Sequence, residues 1–157
     1  MECHKLDNEK QVFFYENQFY VLSNFSSFCL DWAGHRFHTS EAAYHWEKFM
    51  NHPEIQRQIL EAPSAHEALQ IARRNKQLVR PDWEQVKVPV MRNILYQKAK
   101  QHEYVRRQLL ATGDRELIED SWRDNFWGWG PNKDGQNMLG KLWIEVRNEF
   151  RMSSPSL

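Results

Sequence analysis

Two short stretches of this chain carry side chains able to do covalent chemistry. The first holds Glu41, His45 and Lys48. On a helix their i, i+4, i+7 spacing makes one row about 10.5 Å long. A carboxylate, an imidazole and an amine in a row can serve as acid, base and nucleophile. Spacing alone leaves open the plainer reading, in which the three are the solvated face of an amphipathic helix. His35, His38, Glu41 and His45 suggest zinc, but neither HExxH nor CxxC spacing supports it, so no metal is expected. The second stretch is Asp124-Asn125-Phe126-Trp127-Gly128-Trp129-Gly130-Pro131, with two tryptophans, two glycines and a carboxylate in eight residues. Gly and Pro there oppose helix and strand alike, which leaves an irregular loop. Gly128 and Gly130 would let backbone approach a ligand, and the indoles would offer flat faces for stacking. Asp124 would be a carboxylate beside apolar rings, an environment that suits proton transfer. The alternative is a loop whose tryptophans cap the core. A third cluster, Arg73, Arg74, Lys76 and Arg80, reads as a solvated helix end or as a phosphate grip. Asn24, in the turn Asn24-Phe25-Ser26, is free to bind its own backbone or a ligand.

The elements that must position these groups are mostly helical. Val12 to Leu22 and Phe28 to His38 read as strands, the second turning at Ala33-Gly34. From Ser40, Ala42, Ala43, Trp46, Phe49 and Met50 form one apolar stripe. Pro53 opens a second helix, and Ser64 with Glu67 forms a capping box for a third. Pro81-Asp82-Trp83 opens a longer helix, with Pro89 inside it as a kink or a later start. Tyr104 to Ala111 is a short helix stopped near Gly113. The closing helix buries Leu139, Leu142, Trp143, Val146 and Phe150, with Asn137 as its cap. The expected fold is α+β: a mainly helical single domain over residues 12–151 with a small N-terminal antiparallel sheet. Residues 1–11 and 152–157 read as tails.

Composition sets outer bounds. The 157 residues balance 21 Lys+Arg against 21 Asp+Glu, so net charge gives no reason for non-specific nucleic-acid binding. Seven tryptophans among 13% aromatics exceed what a core of this size would choose, and some are expected to line a pocket. Cys3 and Cys29 form no ligand cluster or disulfide ladder. No apolar leader or membrane-spanning run is present, and a soluble, reduced, cytoplasmic setting is expected.

Six ordered blocks match a known pattern. They are Leu22-Ser23-Asn24-Phe25-Ser26; Thr39-Ser40-Glu41-Ala42-Ala43-Tyr44 through Lys48-Phe49; Arg80-Pro81-Asp82-Trp83-Glu84 with Val86, Lys87, Met91 and Lys98; Leu109 to Asp114; Asp124 to Gly130; and Gly135 to Gly140. Together they resemble the NADAR (NAD and ADP-ribose associated) family, which includes the YbiA-like N-glycosidases. The likeness runs over almost the whole chain, from Val12 to Arg151. It implies a small α+β domain that binds a phosphorylated ribose and cleaves a C1′–N bond. The family's substrates are ribosylamino-pyrimidine phosphates of early riboflavin biosynthesis, or ADP-ribosylated guanine in nucleic acid. In the second case the enzyme is an antitoxin paired genetically with an ADP-ribosyltransferase toxin. By that likeness Lys48 attacks C1′ as a Schiff-base amine, Glu41 and Asp124 are the acid–base carboxylates, and Trp83 and Trp127 shape the pocket. Asn24, Arg73, Arg80, Gly128, Gly130 and Asn137 complete the expected substrate-binding set. No cofactor and no membrane partner is expected. The alternative is a module that holds ADP-ribose or NAD without turnover. A weaker one is a partner-binding protein whose aromatics pack an interface.

Overall fold

The computed structural model describes residues 6–15 and 20–153, which form two compact units. One unit is residues 24–101; the other combines the described parts of residues 1–23 and 102–157. Among the described residues there are six α-helices and four short strands, so the architecture is α+β and mainly helical. Cys3, residues 16–19 of the expected first strand and residues 154–157 of the expected C-terminal tail lie outside the described residues.

The unit of residues 24–101 is a β-hairpin on a group of helices. β2 (Leu30–Trp32) and β3 (His35–Phe37) pair antiparallel, with Leu30 opposite Phe37 and Trp32 opposite His35. Ala33 and Gly34 both have positive φ, as a two-residue hairpin turn requires. Thr39 then caps α1 (Ser40–Glu47), its hydroxyl accepting from the Ala42 N–H at 3.1 Å. Pro53 opens α2 (Pro53–Glu61) from its first turn, where a missing N–H costs nothing. Ser64 caps α3 (Ala65–Arg74), accepting from the Glu67 N–H at 3.1 Å. α4 (Trp83–Gln101) passes through Pro89 unbroken, with the proline ring on the exposed side. The small residues Ala42 and Ala43 are buried, which lets α1 pack closely with α3 and α4. Trp46 extends the contact to the hairpin, meeting Phe37 at 5.7 Å and His35 at 5.6 Å between ring centres.

In the other unit β1 (Gln11–Phe14) pairs in parallel with β4 (Glu116–Glu119), Val12 facing Leu117 and Phe13 facing Ile118. α5 (Glu103–Ala111) precedes β4 and ends before Gly113, whose φ is +67°. α6 (Met138–Ser153) packs on β4 and buries Leu139, Leu142, Trp143, Val146 and Phe150. The Trp143 indole donates to the Leu22 carbonyl at 2.9 Å. Buried Arg147 donates to the Thr112 hydroxyl at 2.9 Å and the Arg115 carbonyl at 2.8 Å, tying α6 to the segment between α5 and β4.

Three local expectations change. The antiparallel sheet is only the β2–β3 hairpin; β1 instead pairs in parallel with β4, whose four residues are too few to show a period in sequence. The first strand ends at Phe14, and Tyr20–Leu22 is a 3-10 turn. Asn137 does precede α6, but its side chain does not cap it. Its Oδ1 accepts from the Glu119 N–H at 2.9 Å and its Nδ2 donates to the Leu117 carbonyl at 2.8 Å, so the amide is spent on β4. The first N–H groups of α6 go elsewhere: Met138 donates to the Phe126 carbonyl at 2.9 Å and Leu139 to the Trp127 carbonyl at 3.0 Å.

Gly140 lies where α6 meets β4, and a Cβ there would run into the Leu117 carbonyl and the Asn137 amide. The first is main chain and the second is held by two hydrogen bonds to β4, so a rotamer change would relieve the clash only by breaking them. Gly140→Ala is expected to lose about 1–3 kcal/mol of stability in urea unfolding. Unchanged stability would mean that β4 moves aside freely.

Candidate active site

α1 carries the row Glu41, His45, Lys48, and its surroundings decide between the two readings of that row. His45 and Glu41 are not solvated: their side chains are 3% and 12% exposed, with His45 Nε2 2.7 Å from Glu41 Oε1. Burial is the largest influence on the imidazole and pushes its pKa below the usual histidine range, against the pull of Glu41. Lys48 follows the last residue of α1. Its Nζ stands 5.1 Å from the centre of the Tyr44 ring and 5.8 Å from that of Trp83, and those two rings meet edge to face at 5.1 Å. Burial lowers the pKa of this amine, Glu41 raises it, and the positive charges of Lys87 and Arg73 lower it again. A ring face is worth up to about 2 kcal/mol to a desolvated ammonium. Removing an ammonium from water costs several kcal/mol, so burial wins and the neutral, nucleophilic amine gains.

The ends of α1 are pinned from outside the helix. At the start, the Asn24 carbonyl accepts from the Glu41 N–H at 3.0 Å. The Asn24 side chain accepts from the Ser40 hydroxyl at 3.1 Å, and its Nδ2 stands 3.4 Å from the Met91 sulfur. Asn24 is therefore buried and engaged with its own unit. At the other end the Arg80 N–H donates to the Lys48 carbonyl at 2.8 Å, which brings Trp83 and α4 beside Lys48. The Arg80 guanidinium forks onto Asp82 at 2.6 and 2.9 Å and stands 4.0 Å from Glu47. Its charge is already answered, which leaves it a weaker phosphate grip than its sequence position suggests. Arg73 is the contrast: it is exposed, its charge reaches Lys48 and His45, and no carboxylate pairs with it among the described residues. Lys87, one helical turn after Trp83, also acts on Lys48 and is bonded to Glu84 at 2.6 Å.

Asp124, Trp127, Gly128, Gly130 and Asn137 belong to the other unit. The Trp/Gly stretch is an irregular loop as expected, and its glycines also meet a demand of the chain itself. A Cβ at Gly128 would lie 2.8 Å from the Ser121 Cβ and 3.0 Å from the Asp124 and Glu119 carbonyls. One at Gly130, where φ is +76°, would lie 2.8 Å from the Asn125 Cβ. Asp124 Oδ1 accepts from the N–H groups of Phe126 and Trp127, both at 2.8 Å, and so sets the bend of the loop. Trp127 is half-buried, with its ring edge-on to Phe126 at 4.8 Å.

Three neighbours of Lys48 received no site role from sequence although they lie in the matching blocks: Tyr44, Lys87 and Glu84. Tyr44 and Lys48 are i, i+4 on α1, and Trp83 and Lys87 are i, i+4 on α4. The signal was therefore helical spacing around residues already chosen. Among the described residues no three His, Cys, Asp or Glu side chains gather in a way that could hold a metal. No helix among them is long and apolar enough to cross a membrane.

Comparison with known proteins adds a functional context. The family model described as the NADAR domain matches residues 13–151. A riboflavin biosynthesis protein of Vibrio vulnificus is 36% identical over 149 residues, which are 94% of this chain but 40% of that protein. The chain thus spans well under half of that relative. An N-glycosidase of Nostoc punctiforme is 35% identical over 144 residues, 89% of this chain and 92% of that protein. The NMR structure of the Escherichia coli protein YbiA aligns with a TM-score of 0.84 at 29% identity, covering 96% of this chain and 92% of that one.

The setting of Lys48 has a measurable consequence. At mildly alkaline pH, a small amine-acylating reagent is expected to modify Lys48 ahead of the exposed lysines, by mass mapping. Glu41→Gln removes an influence that raises the Lys48 pKa, so the reactive limb should move to lower pH. Arg73→Ala removes one that lowers it and should move the limb up. Equal labelling of Lys48 and surface lysines, unmoved by either change, would mean that the amine is solvated and charged.

Proposed function

The chain belongs to the NADAR domain family, and on that premise we propose that it is an N-glycosidase cleaving the C1′–N bond of a phosphorylated ribosyl or ADP-ribosyl amine. The relatives named N-glycosidase support the reaction class, and the Vibrio relative's name favours a riboflavin-pathway ribosylamine as substrate. The observation that carries the reading is the Lys48 amine, held against the Tyr44 and Trp83 rings and within the field of the Glu41 carboxylate. A module that merely holds ADP-ribose has no use for an amine whose pKa is lowered by burial beside a carboxylate.

The chemistry follows from those groups. In its ring-opened form a ribosylamine carries a protonated imine at C1′. The neutral Lys48 Nζ adds to that carbon and loses a proton to Glu41. Glu41 returns the proton to the departing nitrogen, whose bond to C1′ breaks as the protonated Lys48–ribose imine forms. Water then adds to C1′ and releases the sugar, and Lys48 is restored. Arg73 is the guanidinium best placed for the substrate phosphate, being unpaired and near the amine. Asp124 remains the second candidate carboxylate. Its Oδ1 accepts from the Phe126 and Trp127 N–H groups and holds the loop's bend.

Borohydride in the presence of the sugar-phosphate product is expected to trap a ribosyl adduct on the peptide containing Lys48. Lys48→Arg keeps the charge but cannot form the imine, so it should abolish turnover while retaining ligand binding by thermal shift. No adduct and near-normal turnover in Lys48→Arg would leave Glu41 to activate water directly. Arg73→Ala should raise KM more than it lowers kcat, by the 1.5–3 kcal/mol typical of about one charge-assisted hydrogen bond. Assaying a ribosylamino-pyrimidine phosphate beside ADP-ribosylated guanine in DNA and RNA would assign the leaving group.

A further inference from the structure

His45 is the member of the α1 row that the proposed reaction leaves without a task. It is 2% exposed, deeper than Glu41 or Lys48, and its two ring nitrogens have opposite fates. Nε2 is 2.7 Å from Glu41 Oε1, whereas buried Nδ1 has no hydrogen-bond partner. This asymmetry selects a tautomer. With the proton on Nε2, the ring donates to the carboxylate and buries only an unused lone pair. With the proton on Nδ1, it would bury an N–H donor without an acceptor and set two lone pairs against each other at 2.7 Å. An imidazolium would bury that same N–H together with a charge. The charged groups acting on the ring are Glu41 from α1, Lys48 just after it and Arg73 from α3; the two cations oppose a third positive charge, while Glu41 favours it. The Tyr44 and His45 rings meet edge to face at 5.3 Å.

From this geometry we infer that His45 is a positioning residue: its Nε2–H holds Glu41 by Oε1 and leaves Oε2 to carry protons. The inference rests on the N-glycosidase reading above. It adds which member of the row moves protons and why. A buried neutral ring with a bare Nδ1 is a poor resting place for a proton, so the proton that Lys48 releases stays on the carboxylate and is available to the leaving nitrogen. His45 thereby gives Glu41 a direction without competing with it. The i, i+4 spacing makes the contact intrahelical, so the hold is present before substrate arrives.

The test combines kinetics with a readout that needs no substrate. Long-range nitrogen–proton correlation spectra of the unliganded protein should show His45 protonated on Nε2 only, from about pH 6 to about pH 8. An Nδ1–H tautomer or an imidazolium in that range would overturn the inference. His45→Leu removes the donor and should lower kcat about 10- to 100-fold with KM little changed, the loss typical of one charge-assisted hydrogen bond. His45→Gln restores an N–H within reach of Glu41 and should recover most of kcat. If His45→Gln is folded yet as inactive as Glu41→Gln, His45 moves the proton itself and the inference is wrong. It is equally wrong if His45→Leu turns over normally. Should His45→Leu not fold, His45→Gln and the spectra still decide. A wild-type protein inert towards every ribosylamine would sink the N-glycosidase reading instead, and the spectra would still tell whether His45 holds Glu41.

Discussion

One backbone hydrogen bond, from the Arg80 N–H to the Lys48 carbonyl, organises the candidate site. α1 ends at Glu47, so the Lys48 carbonyl is one of the C-terminal acceptors that a helix cannot satisfy internally. Taking its donor from Arg80 places the start of α4 against the end of α1. Trp83 then stands beside Tyr44, and the amine of Lys48 meets two aromatic rings rather than water. The Asn24 carbonyl does the matching job at the other end through the Glu41 N–H. A helix of eight residues is too short to be stable alone, and these two anchors with its buried faces give it one position.

Burial then changes what the row of charged groups means. On an exposed helix face a Glu–His contact and a lysine would contribute little, since water screens them and side-chain entropy opposes order. With His45 and Glu41 almost without solvent and Lys48 under aromatic rings, each proton has a preferred place. Burial drives the ring towards its neutral form beside the carboxylate, and the amine towards its nucleophilic form. Lys98 shows the same desolvation: it is buried, its amine donates to the Ser26 hydroxyl at 2.7 Å, and burial lowers its pKa to about 7.

The Trp/Gly loop is organised by backbone demand. Its carbonyls at Asn125, Phe126, Trp127, Gly128 and Trp129 accept from the N–H groups of residues 135–139, the last two of them the opening of α6. Chains can approach that closely only where side chains are absent, which is the reason for glycine at 128, 130 and 135. The loop caps the helix with main chain, and that frees Asn137 to grip β4 with its amide.

What the sequence determined by itself was local: the caps at Thr39 and Ser64, proline at the start of α2, the turn at Ala33-Gly34, and the row along α1. These are legible because each depends on residues within about one helical turn. The likeness to a family supplied the pairing of that row with a sugar C1′. The tertiary structure decided the rest, because it depends on partners far apart in sequence. The parallel pairing of β1 with β4 joins segments more than a hundred residues apart, as in the bond from Gln11 to Glu116, and no short pattern announces it. Whether Arg80 or Arg73 keeps a charge unpaired depended on Asp82 and Glu47 taking one and not the other. Whether a side chain fits at Gly128 or Gly130 depended on the Glu119 and Asp124 carbonyls lying against the first and Asn125 against the second. Whether Lys48 and His45 hold protons depended on how much water the folded chain removes from them. Desolvation is a property of all the neighbours at once, and a linear sequence does not specify who those neighbours are.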